Sequence, residues 1–261
     1  MTRRQRPRDA ALALVQWARE RVPLYRELYA GVPAVESWAA FQQLPVLTTA
    51  RLRATPLVEQ VDALDDVLRS QTAYVLQSTV TPRTLVLDAD DTDAAFDQTR
   101  AAFARAGCRA GMRVTLVAHP RQRYIAAEIT DQLGFFRVDA NLVIAIDDAA
   151  VTRAIEALAP RQVVCFGVAA ISGGMEIVTV RQPSSDHTDL YIVPEAGIVA
   201  VRPAGEPAYR VLRQHCLLEQ GSDGELLLTS LLRYHQPLIR YQLPDRGRLV
   251  RGRLWLEEVA L

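Results

Sequence analysis

The chain contains no lysine, because all 30 basic residues among its 261 are arginines. This absence excludes a Schiff-base lysine, a phosphate-binding lysine of the P-loop kind and a lysine that clamps a substrate carboxylate. Arginine binds the same anions, but its guanidinium stays protonated and is not a ready nucleophile or base. Acid–base chemistry in this chain therefore depends on its carboxylates and its four histidines.

Metal-binding patterns are also missing. The three cysteines, Cys108, Cys165 and Cys216, show no Cys-x-x-Cys spacing, and the histidines are scattered without a His-Glu-x-x-His motif. We therefore expect no metal site. Because Cys165 lies within the apolar run 163–166, we expect it to be a core residue.

The sequence lacks long apolar runs and an excess of charge of one sign. No apolar stretch approaches about 18 residues and none follows the arginine-rich start, so we expect a cytoplasmic protein without a membrane span. The 30 basic residues balance 30 acidic ones. This balance argues against a nucleic-acid partner, because nucleic-acid binders usually carry a basic excess.

Hydrophobic periodicity predicts an α/β first half. Residues 9–29 show helical spacing that Pro23 interrupts, with Asp9 as a plausible N-cap. The apolar runs 73–77 and 84–87 predict a strand–loop–strand unit. From residue 90 to 167, helices alternate with strands, which implies a mainly parallel sheet with helices on its faces. The predicted strands of this region are 113–118, 142–146 and 162–166.

After residue 170 the pattern becomes β-rich. Short strands are predicted at 191–193, 197–201, 225–230, 238–241 and 254–256, and the polar segment 203–223 is interpreted as an extended loop. We therefore predict an α/β fold in which a βα-repeat, parallel-sheet half is followed by a β-rich half. The predicted division is a helical start plus α/β subdomain at 1–170 and a β-rich subdomain packed on it at 171–261.

The clearest local motif runs from Gly224 to Leu231 and continues from Pro237 to Asp245. It resembles the "GELVxTxL … PLIRYRTGD" stretch of adenylate-forming enzymes, particularly of their phenylacetate–CoA ligase branch. Earlier segments agree in order: Val22 to Arg26 and Leu44 to Thr48 resemble the "VPYYR … LPLTTK" stretch of that family. The resemblance implies a truncated adenylate-forming core, in which Asp245 occupies the position that binds the ribose of ATP or AMP.

The departures from the family pattern affect the parts of the sequence on which the family's chemistry depends. The phosphate loop "SSGTTGKP" corresponds to residues 77–83, which contain neither glycine nor lysine, and Val80 would obstruct backbone approach to a phosphate. The region between Phe166 and Ser172 is too short for the second α/β layer of the family. Because the sequence ends soon after Asp245, we also expect the C-terminal lid domain to be absent. ATP and Mg²⁺ binding are therefore expected to be lost, leaving no cofactor.

These features predict a repurposed protein rather than a competent ATP-dependent ligase. The first hypothesis is an enzyme of biosynthesis that hydrolyses, cyclises or dehydrates an activated acyl or aryl carboxylate, either free or attached to CoA or a carrier protein. Two alternatives stay open: a non-catalytic binding or partner subunit, and a residual acyl- or aryl-CoA ligase that borrows a lid from another chain. A homodimer is also left open.

The candidate site follows the order of the family motifs. His119, at the carboxyl end of a predicted strand, and Glu176 are the predicted acid–base residues. Residues 172–176 either match the family's "YGSTE" glutamate motif or form a plain turn, and both readings stay open. The residues predicted to bind substrate are Ser78, Thr79, Thr81, Gly173, Gly174, Met175 and Asp245.

Overall fold

The computed structural model describes residues 6–69, 74–77, 84–118, 123–144, 153, 157, 162–167, 188–193 and 195–258. The helices within these ranges are α1 (Pro7–Arg21), α2 (Pro23–Leu28), α3 (Trp38–Gln42), α4 (Thr49–Ala54), α5 (Leu57–Gln60), α6 (Leu64–Arg69), α7 (Ala89–Arg105) and α8 (Arg123–Phe135).

The strands within the same ranges are β1 (Tyr74–Gln77), β2 (Thr84–Leu87), β3 (Arg113–Ala118), β4 (Asp139–Ile144), β5 (Gln162–Gly167), β6 (Thr188–Val193), β7 (Gly197–Arg202), β8 (Tyr209–Val211), β9 (Cys216–Gln220), β10 (Glu225–Ser230), β11 (Tyr241–Val250) and β12 (Arg253–Glu258). The described residues therefore combine helices with strands, and the predicted α/β class is confirmed.

The chain forms two compact units. The first contains the N-terminal region up to residue 78, residues 82–95 and residues 213–247. In it, β1 and β2 form an antiparallel hairpin, and β9, β10 and β11 form an antiparallel ladder. The second unit contains residues 96–212 and the end of the chain from residue 248. The predicted boundary at residue 170 lies outside the described residues, so the division at that point stays a prediction.

The second unit carries the βα repeats. Strand β3 pairs in parallel with β4 and β5, and β5 pairs in parallel with β6, whereas β7 and β8 continue the sheet in antiparallel pairing. Five of the six residues of β3 are buried, as expected of a parallel strand covered on both faces. Its core unites apolar side chains of α7, β3, α8, β6 and β7, among them Phe103, Leu116, Leu133 and Leu190.

The N-terminal region forms two helices, as the break predicted at Pro23 requires. Pro23 lacks the N–H that a continuous helix needs and instead occupies the first turn of α2. The predicted N-cap, in contrast, is wrong. Asp9 lies in the first turn of α1 and is not its N-cap, since Pro7 already takes that first turn.

Two predictions in the β-rich region are also wrong. The segment 203–223 is not a loop, since it contains β8 and β9. The predicted strand at 238–241 begins only at Tyr241, because Arg240 has a left-handed backbone (φ 47°) that interrupts an extended strand. Within the described residues, no helix is long and apolar enough to cross a membrane.

Candidate functional site

Asp245 is the one predicted site residue that the structure describes. It lies in β11 and is 2% exposed. The predicted acid–base residues His119 and Glu176 lie outside the described residues, and so do the predicted substrate-binding residues Ser78, Thr79, Thr81, Gly173, Gly174 and Met175. Their roles stay predictions, as do both readings of residues 172–176.

Asp245 lies at an irregularity of its strand. Glu225 faces Arg246 and Leu227 faces Gln242, so four steps along β11 match only two along β10. The bulge is closed on both sides, because Gln242 Nε2 donates to Glu225 Oε1 (2.7 Å) and the Gly247 N–H donates to the Gly224 carbonyl (2.8 Å). A bulge of this kind changes the direction in which the side chains of the bulged strand point relative to the partner strand.

The bulge explains how Pro244 and Asp245 fit within a strand rather than a turn. Pro244 is exposed, and its missing N–H is tolerated where the ladder is already interrupted. The Asp245 side chain, in contrast, faces inward and is buried.

The motifs that carry the family resemblance contact one another in the first unit. The Tyr25 hydroxyl, which is fully buried, donates to the Pro237 carbonyl (2.8 Å) and accepts from the Ile239 N–H (3.0 Å). Burial raises the pKa of this hydroxyl. Tyr25 thus satisfies two backbone groups that the left-handed turn at Arg240 keeps out of the β-ladder.

Arg240 joins a third motif to the first two. Its guanidinium donates to the Leu44 carbonyl and pairs with Glu219 (Nε to Oε2, 3.3 Å). Both residues are at most 9% exposed, and burial, the larger effect, raises the pKa of Glu219 although Arg240 opposes it. The Leu47 N–H donates to the Arg240 carbonyl (3.1 Å), and the Thr49 and Tyr241 hydroxyls lie 3.0 Å apart.

We call Tyr25, Leu44, Leu47, Glu219 and Arg240 the motif brace. The side chains of Tyr25, Glu219 and Arg240 are bonded to backbone groups or to one another, so what they do chemically is to hold the three motif segments and β9 together. The sequence motifs located these segments but gave no indication that they contact each other.

A buried polar cluster around Asp189 in the second unit was not predicted. Asp189, 2% exposed, accepts a short hydrogen bond from the Tyr209 hydroxyl and lies 3.6 Å from the Arg202 guanidinium. Burial raises the pKa of Asp189 to about 6 despite these two partners. No motif marks the cluster, since the three residues come from β6, β7 and β8 and meet only through strand pairing.

A second cluster, also not predicted, lies in the first unit. His235 Nε2 lies 2.9 Å from Asp88 Oδ2, and the buried Asp91 lies beside Asp88 at the start of α7. The signal that could have found its acidic part is the Asp-x-x-Asp spacing before a helical pattern, a variant of the capping box. Across the described ranges, no three His, Cys, Asp or Glu side chains are grouped to hold a metal ion.

Sequence comparisons identify no relative of this chain. No protein-family model matches it, and no curated protein matches it.

Comparison of the fold finds adenylate-forming ligases. A structure of 2-hydroxyisobutyryl-CoA ligase in the postadenylation state with R3-HIB-AMP superposes with a TM-score of 0.67 at 13% identity, covering 97% of this chain and 66% of that one. The same ligase with 2-HIB-AMP and CoA in the thioesterification state gives a TM-score of 0.67 at 15% identity, again over 97% and 66%. The open conformation of that ligase gives a TM-score of 0.65 at 14% identity, covering 96% of this chain and 72% of that one.

The chain therefore has the fold of an adenylate-forming ligase core. It spans just under two thirds (66%) of the length of the first two ligase chains. At 13–15% identity, these likenesses concern the fold.

Proposed function

We propose that this protein uses the adenylate-forming fold to bind an activated acyl or aryl carboxylate and to hydrolyse, cyclise or dehydrate it, without making an adenylate from ATP. The observation that carries the proposal is the segment 77–83. This segment stands where the family has its phosphate loop, but it contains no glycine and no lysine.

The loss of these residues bears directly on phosphate binding. Glycines let backbone N–H groups approach phosphate oxygens, and lysine neutralises charge that develops in the transition state. Removing one such electrostatic contact typically costs about 2.7–4 kcal/mol of transition-state stabilisation. No lysine elsewhere in the sequence supplies the missing charge.

The motif brace also supports the proposal that this chain keeps the fold of the family without its ligase chemistry. Tyr25 and Arg240 lie in segments that resemble the family pattern, yet both side chains are buried and bonded within the fold. Their retention is thus accounted for by stability. The burial of Asp245 (2% exposed) points in the same direction, because a ribose-binding carboxylate has to be accessible.

The substrate class follows from the fold likeness. The similar ligase structures hold acyl-AMP molecules, and two of them also hold CoA. We propose that this chain accepts a small acyl or aryl group that is already activated as a thioester or an adenylate. His119 and Glu176 are the proposed acid–base residues, with Ser78, Thr79, Thr81, Gly173, Gly174 and Met175 lining the substrate, whereas the buried Asp245 is proposed to support the β11 bulge.

The test is a two-part activity assay on the purified full chain. Panels of acyl thioesters and acyl adenylates are screened for product by mass spectrometry, and ATP–pyrophosphate exchange is measured with the corresponding free acids. We expect turnover in the first assay and none in the second. ATP-dependent exchange would overturn the proposal in favour of a residual ligase, and binding of these compounds without turnover would favour a binding subunit.

The site is tested once a substrate is identified. We expect His119→Ala and Glu176→Ala each to lower kcat, whereas His187→Ala is the matched control and should leave it unchanged. Unchanged turnover in both site variants would remove these two residues from the proposed site.

A further inference from the structure

Gln236 completes the free edge of the β1–β2 hairpin. Its Oε1 accepts from the Val86 N–H (3.0 Å), and its Nε2 donates to the Thr84 carbonyl (3.2 Å) and to Gln60 Oε1 (3.3 Å). The Gln236 side chain is buried and so takes the place that a third strand would occupy. A lone two-stranded hairpin is marginally stable in water, so this amide is an important support for it.

The preceding residue, His235, holds the helix that follows the hairpin. Its Nε2 lies 2.9 Å from Asp88 Oδ2, and its carbonyl accepts from the Asp62 N–H (2.8 Å). Asp88 directly follows β2 and precedes α7. Residues 235 and 236 therefore bind both the last strand of the hairpin and the first residue of the connection to α7.

Asp88 and Asp91 cap this helix reciprocally. The Asp91 N–H donates to Asp88 Oδ1 (2.7 Å), and the Asp88 N–H points back to Asp91 Oδ2 (3.5 Å). This is the geometry of a capping box with aspartate in place of glutamate. Two carboxylates are consequently held close together, and Asp91 is only 4% exposed.

We propose that Asp88, Asp91, His235 and Gln236 form a pH-sensitive clasp that holds the β1–β2 hairpin to the start of α7 more firmly when the carboxylate pair carries a proton. The charged groups that face Asp91 are Asp88 on its own segment and Arg233 and His235 on the opposite one. This inference concerns the fold of the first unit and does not depend on the proposed function.

The direction of the effect follows from the charges. Burial and then the neighbouring Asp88 raise the pKa of Asp91 from 3.8 to about 6, although Arg233 and His235 oppose the rise. The folded clasp thus binds a proton more tightly than the open chain. Its stabilising contribution is fully present below pH 3.8 and is lost as the pH rises through about 6.

The test is hydrogen–deuterium exchange of the full chain at pH 5.0 and pH 7.5, corrected for intrinsic exchange rates. Peptides from 84–95 should lose about tenfold in protection between the two pH values, as the linked shift from 3.8 to about 6 requires. Peptides from α8 serve as the internal reference. Equal protection at both pH values, after correction, would overturn the proposal.

Variants distinguish the titration of the clasp from changes in the overall stability of the protein. Asp91→Asn preserves the shape of the protonated side chain and should abolish the pH dependence, whereas Asp93→Asn, at an exposed position on the same helix, should keep it. Gln236→Ala should lower protection of the hairpin at both pH values, and Gln242→Ala is its control on β11. If Asp91→Asn keeps the full pH dependence, the clasp is not the titrating element.

Discussion

At the scale of single residues, the hydroxyl of Tyr25 has an unusually large structural role. One oxygen atom satisfies the Pro237 carbonyl and the Ile239 N–H, and neither the ring nor the hydroxyl reaches water. Removing it leaves two buried backbone groups without their partner. A buried unsatisfied group costs about 1–3 kcal/mol.

We therefore predict that Tyr25→Phe lowers the free energy of unfolding by about 2 kcal/mol. Urea denaturation followed by circular dichroism measures this change. Tyr234→Phe is the matched control, because Tyr234 is 42% exposed and should lose less than about 0.5 kcal/mol. Equal stability of the two variants would show that the Tyr25 hydroxyl does not hold the Pro237–Ile239 turn.

A second residue-scale prediction concerns the pH dependence caused by Asp189. The raised pKa of about 6 means that the folded state binds this proton more tightly than the unfolded chain does. Its contribution to stability is present below pH 3.8 and is lost as the pH rises through about 6. Ionised Asp189 is therefore less favourable in the fold at pH 7.5 than neutral Asp189 is at pH 5.

We predict that Asp189→Asn reduces the loss of unfolding free energy between pH 5.0 and pH 7.5 by about 1 kcal/mol. Asparagine keeps an oxygen that accepts from the Tyr209 hydroxyl, so the variant should fold. The exposed Asp139→Asn in the same unit is the control and should leave the pH profile unchanged. If Asp189→Asn keeps the full pH dependence of stability, groups other than Asp189 cause that dependence.

At the scale of secondary-structure elements, Arg240 connects β9 to the segment that joins α3 and α4. Its guanidinium pairs with Glu219 on β9, and it donates to the Leu44 carbonyl after α3. Both charges are nearly buried, so neither is compensated by water if its partner is removed. Breaking a buried pair on one side typically costs about 3–5 kcal/mol.

We predict that Arg240→Ala destabilises the protein by about 3 kcal/mol and that adding Glu219→Gln recovers part of this loss. A double-mutant cycle by urea denaturation measures the recovery. Arg246→Ala, an exposed arginine on β11, is the control and should change stability by less than about 0.5 kcal/mol. Strict additivity of the two substitutions would mean that the pair is not coupled.

The sequence predicted the regular elements well where one physical signal dominates. The apolar run Arg113–Ala118 became β3 with the predicted bounds, and Glu225–Ser230 became β10, because buried strands need continuous apolar residues. The elements around the motif brace were missed for a different reason. Arg240 interrupts a strand-like apolar pattern through its left-handed backbone, which Tyr25, 215 residues earlier, stabilises through the neighbouring Ile239 N–H.

The candidate site was predicted less completely than the fold. The sequence marked Asp245 through its motif, but neither its burial nor the bulge follows from local spacing, because both arise from pairing with β10. The clasp shows the same limit. Asp88, His235 and Gln236 are about 150 residues apart in sequence, and contacts over such separations carry no periodic signal.

At the scale of the whole molecule, fold and composition point to different conclusions about nucleotide binding. The fold matches that of a ligase whose structures contain acyl-AMP, yet the chain has no lysine and no glycine in residues 77–83. Backbone topology is retained by core packing, as the buried motif brace illustrates. Phosphate binding instead depends on a few accessible groups that packing does not preserve.

We predict that 1 mM ATP with Mg²⁺ does not raise the melting temperature of the full chain. A ligand present at 100 times its dissociation constant stabilises a protein by about 2.7 kcal/mol, which corresponds to roughly 5–10 °C for a chain of this size. Micromolar ATP affinity would therefore be unmistakable in a thermal-shift measurement. Such a shift would contradict the prediction, and calorimetry would then give the affinity.

Asp245→Asn distinguishes the two roles that Asp245 could have, and Asp223→Asn, at an exposed turn of the same unit, is its control. If Asp245 is a structural residue of the β11 bulge, the substitution changes the melting temperature without ligand and leaves the response to ATP at zero. If it binds ribose, the wild-type protein responds to ATP and the variant loses that response. The burial of the carboxylate favours the first outcome, because a group that is 2% exposed must leave its protein environment before it can meet a nucleotide.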